Sequence, residues 1–194
     1  MRSPPLNIGD RRELFVDRSL IERLTGQADL KMHAPQREEV VFQAQGPLEN
    51  GCSGVYSVLI EDEGCYRLYY RGCYPVKDGQ GDGSALQTAN VAFSRDGIHF
   101  ERPQLGIRDL GDGGRNNVVW QGAEAHNLVV FKDENPACEP AMRYKAVGGH
   151  WQKLYGLVSP DGLHWRLIQK DPLPVSGAFD SANRAFWDPV IGRY

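Results

Sequence analysis

Short runs of β-branched and aromatic residues, each bounded by turn-forming residues, recur along the chain. Val55–Ile60 is followed by an acidic turn, Glu61–Gly64, and then by Tyr66–Arg71, and together they predict a β-hairpin. A glycine-rich loop, Asp78–Ser84, leads to the apolar Val91–Ser94. Further strands are predicted at Asn117–Trp120, Asn127–Phe131, Tyr144–Val147, Leu154–Val158 and His164–Ile168. No amphipathic period of helical type is sustained. The best helical candidate is the short Ser19–Leu24, with Asp17 or Ser19 as its N-cap. The pattern predicts an all-β protein.

An internal repeat sharpens this. Ala92–Phe100 matches Leu157–Trp165 position by position, and both contain Ser-x-Asp-Gly, an aliphatic residue, His and an aromatic residue. Asp-Gly supplies the backbone that a tight hairpin needs, and Ser94 or Ser159 can hydrogen-bond across the turn. Beyond the turn, Ile98 and Phe100, like Leu163 and Trp165, are expected on one sheet face. Tyr66–Tyr69 and Tyr144–Val147 form a second matched pair, and Ile191–Tyr194 resembles Glu63–Tyr66. Each unit then reads as an antiparallel sheet of about four strands, recurring every 50–80 residues or roughly so, as propeller blades do. The predicted divisions are an N-terminal segment (1–46), a first blade and connection (47–123), a second blade (124–178) and the start of a third (179–194). Propellers close with about 4–8 blades. Two blades and a fraction are therefore expected to be the N-terminal part of a larger ring, completed by further blades of a longer chain or by self-association.

Composition excludes several classes. The 194 residues carry 25 acidic and 22 basic side chains, a net charge of −3, with no Lys/Arg block. This predicts no nucleic-acid partner and no anionic membrane partner. No apolar run is long enough to span a bilayer, and Met1–Pro5 lacks the apolar stretch of a signal peptide, so the chain as written is expected in the cytoplasm. A start placed wrongly would make it secreted or periplasmic. The four cysteines, Cys52, Cys65, Cys73 and Cys138, contain no C-x-x-C and predict ordinary reduced thiols. A Cys65–Cys73 disulfide is the main exception. Asp78–Gly83 begins like a calcium loop, but Gln80 and Ala89 fall where ligands are needed. No cofactor and no metal site are predicted.

The ordered motifs Leu14–Asp17 with Leu20–Glu22, Tyr66–Arg71, Ser94–Phe100, Arg115–Val118, Arg143–Ala146, and Phe179–Asn183 with Phe186–Asp188 resemble a group of bacterial proteins, common in planctomycetes, described as glycosyl-hydrolase-like. That group is similar to the five-bladed β-propeller superfamily of arabinanases, invertases and levansucrases. The resemblance implies five blades around a polar funnel that takes a carbohydrate substrate. It implies a glycoside hydrolase-like activity or, alternatively, a non-catalytic carbohydrate-binding propeller.

Glycosidic cleavage uses two carboxylates about 5–9.5 Å apart. Inner-strand positions, one unit each, offer Glu49, then Asp133, Glu134 and Glu139, then Asp180. The related enzymes open the first blade with Asp-Pro or Asn-Asp-Pro; Glu49-Asn50-Gly51 stands there, which displaces the usual base to Glu49 or removes it. Asp180 and Glu49 are the catalytic candidates. Asn183 and Arg184 lie close behind Asp180 and suit sugar hydroxyls, and Arg also lowers the pKa of a neighbouring carboxylate. His126, Asn127, Asp133 and Arg71 complete the candidate substrate-binding set. His99 and His164 recur at one repeat position and read as structural. Trp165, Trp187, Tyr69 and Tyr70 read as core between the units.

Overall fold

The computed structural model describes residues 5–10, 12–45, 49, 56–73 and 87–194. The chain divides into two compact units, Met1–Glu39 and Val40–Tyr194. In the first, extended segments alternate with turns. Ser19–Leu24 is not helical: Asp17 Oδ1 accepts the Ser19 N–H at 2.8 Å, and Ile21 N–H reaches Arg18 O at 3.0 Å, closing a single turn. A segment this short cannot recover the cost of helix nucleation, and Asp17 satisfies the backbone locally.

The second unit is built from eight strands in chain order: β1 Ser57–Asp62, β2 Cys65–Cys73, β3 Gln87–Ser94, β4 Val118–Gln121, β5 Val129–Lys132, β6 Tyr144–His150, β7 Lys153–Ser159 and β8 Arg166–Leu167. They form two four-stranded antiparallel sheets, β1-β2-β3-β4 and β5-β6-β7-β8, each a simple meander. Among the described residues, helical structure is confined to two single turns, Ala123–Ala125 and Pro140–Met142. No described helix is long and apolar enough to cross a membrane. The glycine-rich loop Asp78–Ser84, Cys52 and Val55 lie outside the described residues. The expectation of reduced thiols holds for Cys65 and Cys138, which are free, but not for Cys73, which is disulfide-bonded; since Cys65 is free, the exceptional Cys65–Cys73 pair is not formed.

The two sheets repeat in register as well as in sequence. Tyr66 pairs with Ser94 across β2 and β3, and Tyr144 pairs with Ser159 across β6 and β7. Both Ser-x-Asp-Gly turns close with the same bonds. Ser94 Oγ accepts from Gly97 N at 2.9 Å while Asp96 Oδ1 takes Ile98 N and His99 N at 2.9 and 2.8 Å. Ser159 accepts from Gly162 N at 2.9 Å, and Asp161 takes Leu163 N and His164 N, both at 2.8 Å. The glycines sit at φ 77° and 78°, where a Cβ would be strained. The turn is wider than a two-residue hairpin, since Phe93 next pairs with Glu101. The repeated histidines are structural by capping: each Nδ1 lies 2.7 Å from its turn aspartate, and both rings are exposed.

Adjacent side chains on a strand face opposite ways, so β5 is covered on both sides. Val130 joins a core with Tyr69, Val91, Val119, Leu157 and Trp165. Its neighbour Val129 joins a second core with Val58, Val147 and Leu154. Tyr69 of the first sheet donates to Gly162 O at 3.1 Å and meets Trp165 edge-on at 6.5 Å, which seats it against the repeat turn of the second sheet.

A buried carboxylate also joins the sheets. Asp62, at the end of β1, has no exposed side-chain surface. It accepts from Lys132 Nζ and Tyr144 OH, and from Arg143 Nη2 at 3.1 Å, with Arg67 Nη2 at 3.7 Å. The arrangement recurs one sheet later: Asp133, just after β5, accepts from Lys145 Nζ and from Tyr194 OH at 2.6 Å.

Candidate functional site

The segment from β5 back to the preceding helical turn carries His126 and Asn127. His126 follows the turn at Ala123–Ala125, and Asn127 adopts φ 51°, a left-handed backbone that Asn tolerates. Arg71, near the end of β2, donates to Asn127 Oδ1 at 2.9 Å, and Asn127 Nδ2 donates to Asp180 O at 3.2 Å. The two sheets and the segment after β8 therefore meet at one polar cluster.

His150 joins them from the end of β6. The glycines before it make this possible. A Cβ on Gly148 would lie 2.2 Å from Glu124 O, and one on Gly149 would lie 2.0 Å from Lys153 O. With only hydrogens there, β6 runs against the helical turn, and Gly149 N–H donates to His126 O at 3.0 Å. The His126 and His150 ring centres are 4.4 Å apart. Asp180 Oδ1 stands 3.9 Å from His126 Nε2 and 3.8 Å from His150 Nε2, on a side chain that is 78% exposed.

His126 is buried. Its Nδ1 lies 2.8 Å from Gln87 Oε1, an acceptor, so Nδ1 carries the proton and Nε2 presents its lone pair to the cluster. Burial, together with the His150 ring and the Arg71 guanidinium, pushes the imidazole down to about 4 against the opposing pull of Asp180. The ring is thus neutral at neutral pH. Burial also lowers the Arg71 pKa, with Asp180 among the groups that counter it.

Trp151 forms the tip of the β6–β7 hairpin at φ 57° and is 72% exposed, its ring 5.2 Å from that of His150. A bulky residue in left-handed backbone is strained, by about 1–3 kcal/mol. Beside it, a cleft of about 680 Å³ is lined by Trp151, Gln152 and Val175–Ala178. An open aromatic face, a guanidinium, the His150 imidazole and a carboxylate can together stack on and hydrogen-bond a polyhydroxylated ligand, with the buried Asn127 and His126 behind them. His126, His150 and Asp180 also form the one described group of metal-ligating side chains with ligand atoms all within 4.8 Å.

The other sequence candidates lie in separate settings. Glu49 is 2% exposed; it accepts from Tyr70 OH at 2.5 Å, Arg102 Nε at 2.7 Å and Gln45 N at 2.7 Å. None of these partners is shared with Asp180. Asp133 is held by Lys145 and Tyr194; burial raises its pKa, but hydrogen bonds from Cys138, Lys145 and Tyr194 outweigh this and bring it to about 2. Asn183 donates to Ser181 O at 2.9 Å within its own loop, and Arg184, Glu134 and Glu139 are exposed. Tyr69, Tyr70 and Trp165 are buried in the interior, and Trp187 stacks edge-on with Tyr194. Sequence reasoning passed over His150 and Trp151. The Gly148-Gly149 pair directly before them is the signal that could have drawn attention there.

No family model matches the chain. An uncharacterized protein of Mycobacterium tuberculosis, MT1551, is 28% identical over 116 residues, covering 60% of this chain and 34% of that protein. Among solved structures, a "putative glycoside hydrolase" from Parabacteroides distasonis superposes with a TM-score of 0.41 at 19% identity, covering 64% of this chain and 34% of that one. The chain thus spans about a third of the length of each of these two proteins.

Proposed function

We propose that this chain forms part of a glycoside hydrolase-like, carbohydrate-active protein. In this reading its two four-stranded sheets are successive propeller blades, and a sugar is held where Arg71, His126, Asn127, His150 and Asp180 converge. That convergence, drawn from two sheets and the segment beyond them, is the observation that carries the reading. Asn127, buried and bonded at both ends of its amide, holds Arg71 and the Asp180 backbone in place. Arg71 supplies a donor for hydroxyls, Asp180 an acceptor, and Trp151, which lines the cleft, a stacking face.

Asp180 is the catalytic carboxylate of this proposal. It is reachable from solvent, whereas Glu49, Asp62 and Asp133 are committed to buried bonds. Cleavage requires a second carboxylate about 5–9.5 Å away. That commitment favours one specific alternative, a carbohydrate-binding propeller without hydrolysis. The test is turnover of a panel of aryl furanosides and pyranosides, with binding of the same sugars measured in parallel. Hydrolysis abolished by Asp180→Asn, with binding retained, supports the enzyme. Binding without hydrolysis in the unaltered protein selects the alternative, and unchanged turnover in Asp180→Asn removes Asp180 from the mechanism.

A further inference from the structure

We propose that His126 Nε2, His150 Nε2 and Asp180 Oδ1 form a binding site for a divalent transition metal of the zinc class. This goes beyond carbohydrate recognition and does not depend on it. The observation that points to a ligand is His126. Its side chain is 9% exposed, and its Nε2 is buried with no hydrogen-bond partner. A buried imidazole nitrogen left unpaired is costly, and here it faces a second imidazole and a carboxylate. Gln87, bonded to Nδ1 at 2.8 Å, fixes the ring as an outer-shell partner fixes a metal-bound histidine.

The donor set selects the ion. Two imidazoles and one carboxylate suit zinc and its neighbours; calcium and magnesium prefer oxygen ligands throughout. Tetrahedral bonds of about 2.0–2.1 Å place ligand atoms about 3.4 Å apart. The two distances to Asp180, 3.9 and 3.8 Å, require closure of about half an ångström on an exposed and adjustable side chain. The half-buried His150 must also turn toward His126 wherever their ligand atoms, which lie within 4.8 Å, stand wider than that spacing. Three protein ligands leave a position open, as in sites where zinc carries a water or an oxygen ligand. The Arg71 guanidinium opposes a cation here, and the Asp180 carboxylate offsets it.

Calorimetric titration of the chelator-treated protein with Zn²⁺, and Co²⁺ absorption as a second probe, test the proposal. The expected result is one equivalent bound, with a Co²⁺ spectrum of low coordination number. Affinity should fall at least tenfold in His150→Ala and Asp180→Asn, and about tenfold or more in Gln87→Leu, where the ligand itself is retained. His99→Ala, at an exposed histidine bonded to Asp96, should bind as the unaltered protein does. Because His126 is buried, circular dichroism accompanies His126→Ala, and His150→Ala decides if that variant unfolds. Failure to bind Zn²⁺ or Co²⁺, or equal affinity in His150→Ala, overturns the site whatever the outcome of the sugar experiments.

Discussion

Removing the Asp62 carboxylate should separate the two sheets energetically. Asp62→Ala deletes a side chain with no exposed surface and leaves Tyr144 OH, on a residue 1% exposed, without its acceptor. Breaking a buried pair from one side costs about 3–5 kcal/mol. Lys132 and Arg143 are 36% and 37% exposed, so both can turn to water, which places the loss near the lower end, about 3 kcal/mol. At this chain length that corresponds to a fall of about 6–12 °C in Tm. Tyr144→Phe removes the orphaned hydroxyl, so the double variant should lose about 1 kcal/mol less than the two single losses added. Urea unfolding supplies the free energies, with the m-value confirming that the unfolded state is comparable. The pH dependence carries a sign as well. The hydrogen bonds and charges of Lys132, Tyr144 and Arg143 hold the Asp62 pKa below 3.8 despite burial. Its contribution is therefore full above pH 3.8 and is lost as the pH falls through the lower folded value, so Asp62→Ala should flatten the acid limb of the stability curve. A loss below about 0.5 kcal/mol, within the range of an ordinary surface change, would refute the reasoning.

Three further outcomes follow from the same geometry. Asp161→Ala should cost more than Asp96→Ala by about 1 kcal/mol in urea unfolding, because the Asp161 turn is seated under Tyr69 and Arg67 and the Asp96 turn is open to water. Equal losses would remove the distinction between the two copies. Gly149→Ala, whose Cβ would meet the Lys153 carbonyl at 2.0 Å at φ 151°, should destabilise by more than 2 kcal/mol and displace the His150 resonances in an NMR spectrum. Alkylation without reductant should label Cys65 and, more slowly, Cys138, whose thiol pKa is raised by burial and by Asp133. Cys73 should be labelled only after reduction, and peptide mass mapping reads this directly.

The strands were legible because their residues are strongly β-forming, and the repeat exposed the two-sheet organisation. The prediction fails where the signals are weak. Tyr144–Val147 stops short of the observed end of β6 because Gly148 and Gly149 have low strand propensity, so the histidine beyond them went unnoticed. Ser19–Leu24 has a helical composition but too few residues to make a helix. Asp180, His126, Asn127 and Arg71 are drawn from places that strand ends and their openings suggested, and the structure sets them in one cluster. Glu49 and Asp133 carry the same chemistry in sequence, but their partners, Arg102 and Tyr194, come from distant positions that no local pattern reveals. Asp62 reads as an ordinary turn carboxylate for the same reason.

In the proposed function the Arg71 to Asp180 cluster holds a carbohydrate. The most direct measurement of this is isothermal titration of the protein with sugars that score on a glycan array, comparing the unaltered chain with Arg71→Ala and Trp151→Ala. A charged hydrogen bond to a ligand contributes about 1.5–3 kcal/mol, so affinity should fall roughly tenfold or more in Arg71→Ala. Trp151→Ala should weaken binding while leaving the Tm nearly unchanged, since the residue is 72% exposed and alanine keeps the Cβ that the left-handed backbone already accommodates. Saturable binding with those losses is the predicted result. Absence of binding across the array, or equal affinity in Arg71→Ala, would remove the cluster as a carbohydrate site.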